Sequence, residues 1–153
     1  MNINYNKKDN KSDLDVPNLL KALEDERNEV LFNFTSKSLR ELNFNVLKEL
    51  GLSKEELKDF MKKLGQYKYI DEMKDLKYGS FIRWIPLNDP DNIELKKGGI
   101  LSEVKITDKG VAIICKGFGY FKNYFQFLMD ECLIFQKLSE QELVLLNVLD
   151  HVS

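Results

Sequence analysis

The stretch from Lys77 to Leu138 constrains the fold most, because it reads as about five consecutive β-strands separated by turn residues. The apolar and polar positions alternate within several of these segments, as expected for strands with one buried face. The predicted strands are Ser80–Leu87, Ile100–Thr107, Val111–Lys116, Tyr120–Met129 and Cys132–Lys137. Short connections favour antiparallel neighbours. The pattern predicts a five-stranded antiparallel meander, curled into a small barrel or a strongly bent sheet.

One connection in this stretch carries a clear turn signal. The sequence Thr107-Asp108-Lys109-Gly110 predicts a tight hairpin, because glycine adopts left-handed backbone angles without strain. We therefore expect the four strands from Ile100 to Lys137 to pair in sequence order. The strand Ser80–Leu87 is expected to join the same sheet.

Helical periodicity precedes the sheet and predicts about three helices. The first begins with Asp15 as its N-cap and continues to about Phe34. The second helix fits Ser38–Leu50, with a capping box of Ser38 and Glu41 and a stop at Gly51. The third helix begins at Ser53, which forms a second capping box with Glu56, and ends near Gly65.

A last helix closes the predicted α+β fold. Ser139 and Glu142 form a third capping box, and Leu143, Leu146 and Leu149 follow at helical spacing. These leucines require an apolar partner, so we expect truncation before this helix to lower stability. The predicted organisation is a disordered segment 1–13, a helical subdomain 14–65, and a sheet with its C-terminal helix at 66–153.

Composition narrows the functional class without defining it. The chain carries 23 basic and 25 acidic residues, which disfavours a dedicated electrostatic binder of nucleic acid. The chain has no run of about 18 apolar residues, so no membrane span is predicted. The polar N-terminus lacks the apolar core of a secretory signal. Cys115 and Cys132 lie in apolar strands and are interpreted as reduced, packed thiols rather than a disulfide. We expect a cytoplasmic protein.

No residue pattern in the chain is typical of catalysis. His151, the only histidine, lies at the C-terminus, where a general base would lack fixed geometry. Aliphatic residues flank both cysteines, and no metal-ligand spacing or phosphate-binding glycine loop occurs. Asp130 and Glu131 are interpreted as a polar turn. The alternative, an enzyme that uses these two carboxylates, would require both to line a cleft with raised pKa values. We predict no catalytic residue, no metal and no cofactor.

Candidate binding residues cluster around one arginine–tryptophan pair and one aromatic stretch. Arg83 and Trp84 are adjacent on a strand and so point to opposite faces. The candidate binding set is Arg83, Trp84, Phe118, Tyr120, Lys122 and Tyr124. The alternative interpretation is a core tryptophan with Arg83 in a structural ion pair, and a core role for the other aromatics. The leading hypothesis is a non-enzymatic binding or assembly module that contacts a protein partner through the sheet face or an edge strand.

Lysine and aromatic residues also allow a second function, weak binding of single-stranded nucleic acid. Lys54, Lys58 and Lys62 recur at spacings of four and form a ridge on the third helix. Lys116 stands beside the aromatic stretch, whose rings can stack on bases. The competing interpretation of the ridge is a solvated helix face.

Three short segments carry a resemblance to a group of viral proteins. They are Gly79–Ile85, Gly98–Ile100 and Phe135–Leu138. Over residues 66–150 the chain resembles small uncharacterised proteins of large nucleocytoplasmic DNA viruses. The resemblance implies a viral protein of the host cytoplasm or the virion, and it implies no activity.

Overall fold

The computed structural model describes residues 35–117 and 123–152, which form three helices and six strands. The helices are α1 (Ser36–Leu47), α2 (Lys54–Lys63) and α3 (Glu140–Val152). The strands are β1 (Tyr67–Ile70), β2 (Phe81–Pro86), β3 (Gly99–Thr107), β4 (Gly110–Lys116), β5 (Tyr124–Leu128) and β6 (Cys132–Lys137). Short 3-10 turns occupy Lys48–Leu50, Met73–Asp75 and Met129–Glu131. In these ranges no helix has both the length and the apolar character that crossing a membrane requires.

The chain divides into two compact units. Of the described residues, one unit contains 35–40 and 138–152, and the other contains 41–117 and 123–137. The predicted first helix and the predicted disordered segment 1–13 lie outside the described residues. The predicted domain limits, 14–65 and 66–153, stay a prediction.

The larger unit contains one antiparallel sheet of six strands in the order β1-β6-β2-β3-β4-β5. The α+β class is therefore confirmed, while the five-stranded meander is wrong in its last step. β3, β4 and β5 pair in sequence order, but β6 pairs with β1 and β2 instead of β5. The sixth strand is β1, which lies before the five predicted strands in the chain. The sheet is not closed into a barrel. It is bent, because Trp84 of β2 stacks on Phe127 of β5 at 4.6 Å although β3 and β4 lie between these strands.

The side chains of β6 explain its central position. Ile134 points to one face and Phe135 to the other, and both are almost completely buried. A strand that is apolar on both faces is more stable between two strands and beneath cover on both sides than at a border. β5 carries the exposed residues Tyr124 and Gln126 on one of its faces, which suits a border strand.

The tight turn between β3 and β4 is confirmed. Thr107 and Gly110 pair directly across a two-residue connection. The Thr107 hydroxyl donates to the Gly110 carbonyl oxygen at 2.7 Å, and Gly110 has a φ of 129°.

The second and third predicted helices exist as α1 and α2, and α1 differs from its predicted bounds at both ends, since Lys48–Leu50 forms a 3-10 turn. The hydroxyl of Thr35 accepts a hydrogen bond from the Ser38 amide at 3.2 Å, so α1 begins at Ser36 and the predicted Ser38–Glu41 capping box is wrong. The stop at Gly51, with a φ of 71°, is confirmed. The capping box of Ser53 and Glu56 is also confirmed.

Helices cover one face of the sheet, which we call the helix-covered face. Residues of α1, α2 and the sheet share one apolar cluster there, whose buried members are Leu47, Phe60, Leu64, Tyr67, Ile85 and Phe135. Asn43 is buried beside it and fixes β1, since its side chain donates to the Tyr67 carbonyl oxygen at 2.9 Å and accepts from the Tyr69 amide at 3.0 Å. Burial raises the pKa of the Tyr67 hydroxyl, and the nearby Arg83 charge partly offsets that rise.

The second apolar cluster lies on the opposite side of the sheet, which we call the Trp84 face. Its buried members are Ile70, Ile82, Trp84, Leu101, Ile113, Cys115 and Ile134. Trp84 therefore points away from the helix-covered face, while its neighbour Arg83 points toward it, as the two-residue period of a strand requires.

The described part of the smaller unit is organised around α3. The capping box of Ser139 and Glu142 is confirmed by amide-to-side-chain bonds of 2.8 and 3.1 Å. The leucines of α3 pack as predicted with Leu39 and Leu138. Leu145, which the sequence analysis did not select, is the most deeply buried of them at 1% exposure.

We predict that Leu145→Ala destabilises the protein by about 2–5 kcal/mol, because it removes a fully packed side chain and leaves a cavity. Denaturant unfolding followed by circular dichroism measures this change. Asn147→Ala, at an exposed position of the same helix, is the matched control and should change the free energy of unfolding by less than about 0.5 kcal/mol. Equal effects of the two substitutions would contradict the packing of α3.

Candidate binding cleft

Strand β5 forms one border of the sheet and presents part of its backbone outward. The Gly117 amide donates to the Asn123 carbonyl oxygen at 2.6 Å, and these two residues stand directly opposite each other in the β4–β5 register. Hydrogen-bonded and non-hydrogen-bonded pairs alternate along an antiparallel ladder. The backbone N–H and C=O groups of Phe125 and Phe127 therefore form hydrogen bonds with β4. The N–H and C=O groups of Tyr124 and Gln126 consequently point away from β4, toward the border.

An aromatic cleft lies beside β5 on the Trp84 face. Its volume is about 400 Å³, and its apolar lining consists of Trp84, Pro86, Phe125 and Phe127. The Trp84 ring stacks on Phe127, with centroids 4.6 Å apart, and lies 5.9 Å from the tilted ring of Phe125. Trp84 is only 6% exposed, whereas Phe125 is 43% exposed. We call this hollow the Trp84 cleft; its base is buried and its rim is open.

The segment that joins β2 to β3 forms one wall of the Trp84 cleft and is fixed through its backbone. The Lys96 amide donates to the Trp84 carbonyl oxygen at 2.9 Å, and the Arg83 Nε donates to the Lys96 carbonyl oxygen at 2.9 Å. Gly98 follows with a φ of 103°, and a Cβ there would collide with the Ile82 carbonyl oxygen. Arg83 thus supports this wall from behind rather than contacting the cleft.

The turn between β5 and β6 forms another wall of the Trp84 cleft. The Leu87 amide donates to the Glu131 carbonyl oxygen at 2.9 Å, which ties this turn to the end of β2. Burial, with a smaller contribution from the Glu131 charge, raises the pKa of the Cys132 thiol to about 11, and Lys96 opposes the rise. Cys132 is therefore a neutral thiol near pH 7, which makes it a weak nucleophile.

A second hollow of about 380 Å³ lies at the other end of β5, beside the β3–β4 turn. Its lining consists of Thr107, Asp108, Lys109, Ala112, Gln126, Phe127, Leu128 and Glu131. Ala112 and Leu128 are paired neighbours whose side chains point away from the Trp84 face. We call it the turn hollow; it shares Gln126, Phe127 and Glu131 with the Trp84 cleft, so the two hollows meet at the border strand.

The structure separates the residues that the sequence analysis grouped as a binding set. Trp84 lines the cleft and Arg83 supports its wall. Tyr124 is 65% exposed on β5, with its side chain on the face opposite Phe125. Phe118, Tyr120 and Lys122 lie outside the described residues. Among the described residues, Arg83 makes a hydrogen bond to the Lys96 carbonyl oxygen and no ion pair.

The lysines assigned to the nucleic-acid alternative do not line the cleft. Lys54, Lys58 and Lys62 are exposed on α2, a helix that packs on the helix-covered face. Lys116 pairs with Tyr124 across β4 and β5, and both side chains point away from the Trp84 face. The aromatic rings of the cleft therefore lie on the other side of the sheet from these four lysines.

Sequence reasoning missed the residues that build most of the cleft, among them Lys97, Phe125 and Phe127. Alternation within the segment YFQFL does place the two phenylalanines on one face. The alternation does not indicate that the two phenylalanines share a cleft with Trp84. That contact depends on the bend of the whole sheet, which a local pattern does not specify.

The described residues contain no group of three or more His, Cys, Asp or Glu side chains arranged to hold a metal ion. No family model, curated protein or solved structure matches the chain.

We predict that Cys132 reacts very slowly with iodoacetamide at pH 7, because its thiol is almost entirely protonated. The rate should rise about tenfold per pH unit between about pH 8 and pH 10, since the thiolate fraction grows tenfold per unit below the pKa. Mass spectrometry of the modified peptide measures the rate, and Cys132→Ser is the control for reaction elsewhere. A rate that levels off near pH 8 would contradict a raised pKa.

Proposed function

We propose that this protein is a non-enzymatic binding module that accepts an extended segment of a protein partner as an additional strand along β5. Such recognition uses backbone hydrogen bonds for attachment and pockets for alternate side chains. The border strand and the two adjacent hollows supply both elements.

The observation that carries the proposal is the unprotected character of β5. A border strand with outward N–H and C=O groups can pair with another chain, and proteins usually block this with charged residues, proline or a bulge. The segment YFQFL contains neither a charge nor a proline, and β5 pairs with β4 in continuous register. By contrast β1, the other border strand, carries Lys68 at its centre.

The chemistry of the cleft supports binding rather than nucleophilic catalysis. Burial raises the pKa of Cys115 to about 12, and Cys132 has a similarly raised pKa. Neither thiol supplies an appreciable amount of thiolate near neutral pH. The aromatic and amide side chains of the cleft are typical of recognition surfaces.

We predict that Gln126→Pro weakens the binding of an extended peptide at least about fivefold, whereas Gln126→Ala leaves it nearly unchanged. Proline removes the outward N–H but spares the bonds to β4, while alanine retains the N–H and removes only the side chain. The probe is a library of acetylated, amidated heptapeptides rich in threonine and valine. Trp84 is the only tryptophan, so its fluorescence reports binding at the cleft.

Thermal unfolding of both Gln126 variants establishes whether the proline variant remains folded. If it unfolds, hydrogen exchange replaces it: bound peptide should slow the amides of Tyr124 and Gln126 in the unchanged chain. Equal peptide affinity of a folded proline variant, or unchanged exchange at both amides, would refute strand addition at β5.

The alternative function is weak binding of single-stranded nucleic acid. Its salt dependence distinguishes it from the binding of a peptide along β5. Lysine–phosphate contacts release counterions, so affinity should fall steeply as salt increases. We predict that any oligonucleotide binding seen by fluorescence anisotropy is weakened by Lys58→Gln and is indifferent to Gln126→Pro. Oligonucleotide binding that Gln126→Pro abolishes would instead favour nucleic acid over peptide as the ligand of β5.

A further inference from the structure

The two hollows meet along Gln126, Phe127 and Glu131, and each takes the rest of its sheet lining from one face. Trp84 and Phe125 place the Trp84 cleft on one face, whereas Ala112 and Leu128 place the turn hollow on the other. Successive side chains of a strand point to opposite faces. A strand added along β5 would therefore direct neighbouring side chains into different hollows.

We infer that the partner segment carries an aromatic residue directly beside a lysine or arginine; this inference rests on the strand addition proposed above. The aromatic side chain occupies the Trp84 cleft, and the basic side chain occupies the turn hollow. The chemistry of each hollow selects one member of the pair.

The Trp84 cleft selects a large apolar ring. Its base is formed by Trp84 stacked on Phe127, and Phe125 stands partly exposed at the rim. An incoming ring can pack against Phe125 and Trp84 in the tilted or offset arrangements that aromatic pairs prefer. The charged residues of its lining are Lys96, Lys97 and Glu131; Lys96 is already paired with Glu94 at 2.9 Å, which leaves one positive and one negative charge, so the cleft is not a dedicated anion site.

The turn hollow selects a basic side chain. Asp108 and Glu131 contribute two carboxylates to its lining, against the single ammonium group of Lys109. Among the residues that the structure describes, neither carboxylate takes part in an ion pair. The hollow therefore has an excess of negative charge beside the outward backbone of Gln126, and a lysine or arginine complements it.

Four acetylated, amidated heptapeptides test the inference. They share a threonine and valine background and differ only at two central neighbours: Phe-Lys, Phe-Glu, Phe-Ala and Ala-Lys. We expect Phe-Lys to bind most tightly, Phe-Ala about twofold to fivefold more weakly, as befits an exposed ion pair, and Phe-Glu more weakly still. Ala-Lys should lose about tenfold or more, because it leaves the cleft empty.

Asp108→Asn provides the complementary change in the protein. It should reduce the affinity for Phe-Lys about twofold to fivefold and leave the affinity for Phe-Ala unchanged. Asp91→Asn is the matched control, since this exposed residue lies in the turn after β2 and lines neither hollow. It changes the net charge by the same amount and should alter neither affinity.

The outcomes separate this inference from the proposed function. If none of the four peptides binds, or if Gln126→Pro does not weaken them, strand addition at β5 fails. If they bind with sensitivity to Gln126→Pro but Phe-Glu equals Phe-Lys, or Asp108→Asn has no selective effect, the aromatic–basic pair is wrong while strand addition stands. Sedimentation showing a dimer that Gln126→Pro dissociates would assign β5 to a second copy of the chain and also overturn the inference.

Discussion

The position of β6 between β1 and β2 is the constraint on which the sheet depends. Ile134 and Phe135 are buried on opposite faces, so this strand joins the two apolar clusters of the larger unit. Its partners lie far from it along the chain, and pairings of this kind form only after long loops close. The free energy gained by burying both faces offsets that loss of entropy. A polar substitution on either face of β6 would separate one cluster from the other.

Among the residues that the structure describes, the same placement leaves β5 without a strand on its outer side. A meander in sequence order would have covered β5 with β6 and satisfied its outward N–H and C=O groups. Instead the Met129–Glu131 turn leads the chain away from β5, and the Glu131 carbonyl oxygen accepts from the Leu87 amide at the end of β2. The cleft is thus a consequence of topology: the turn forms its wall because it must travel from the border strand to the middle of the sheet.

Local sequence signals predicted the helices, strands and turns well, but they predicted the long-range pairing of the strands poorly. The Thr107–Gly110 turn, the Ser53–Glu56 and Ser139–Glu142 capping boxes and the opposite directions of Arg83 and Trp84 each depend on a few neighbouring residues. The partner of β6 and the meeting of Phe127 with Trp84 depend on the register and bend of the whole sheet, which no local pattern specifies. Ser38 shows the limit even locally, since Thr35 is also a favourable cap and begins the helix earlier.

The relative contributions of backbone pairing and of the cleft to binding follow from the free energies of hydrogen bonding, chain ordering and ring burial. Each backbone hydrogen bond contributes about 0.5–1.5 kcal/mol net, whereas ordering one residue of a flexible partner costs about 1–2 kcal/mol. Along the five residues of β5, pairing alone would therefore not hold a flexible segment. Burial of a large ring adds about 1.5–3 kcal/mol, and the cleft that receives it has walls already fixed by the Lys96 and Glu131 bonds, so little of this is lost to reorganisation. In the proposed complex, the border strand sets the direction and register of the partner segment, and the Trp84 cleft determines whether that segment stays bound.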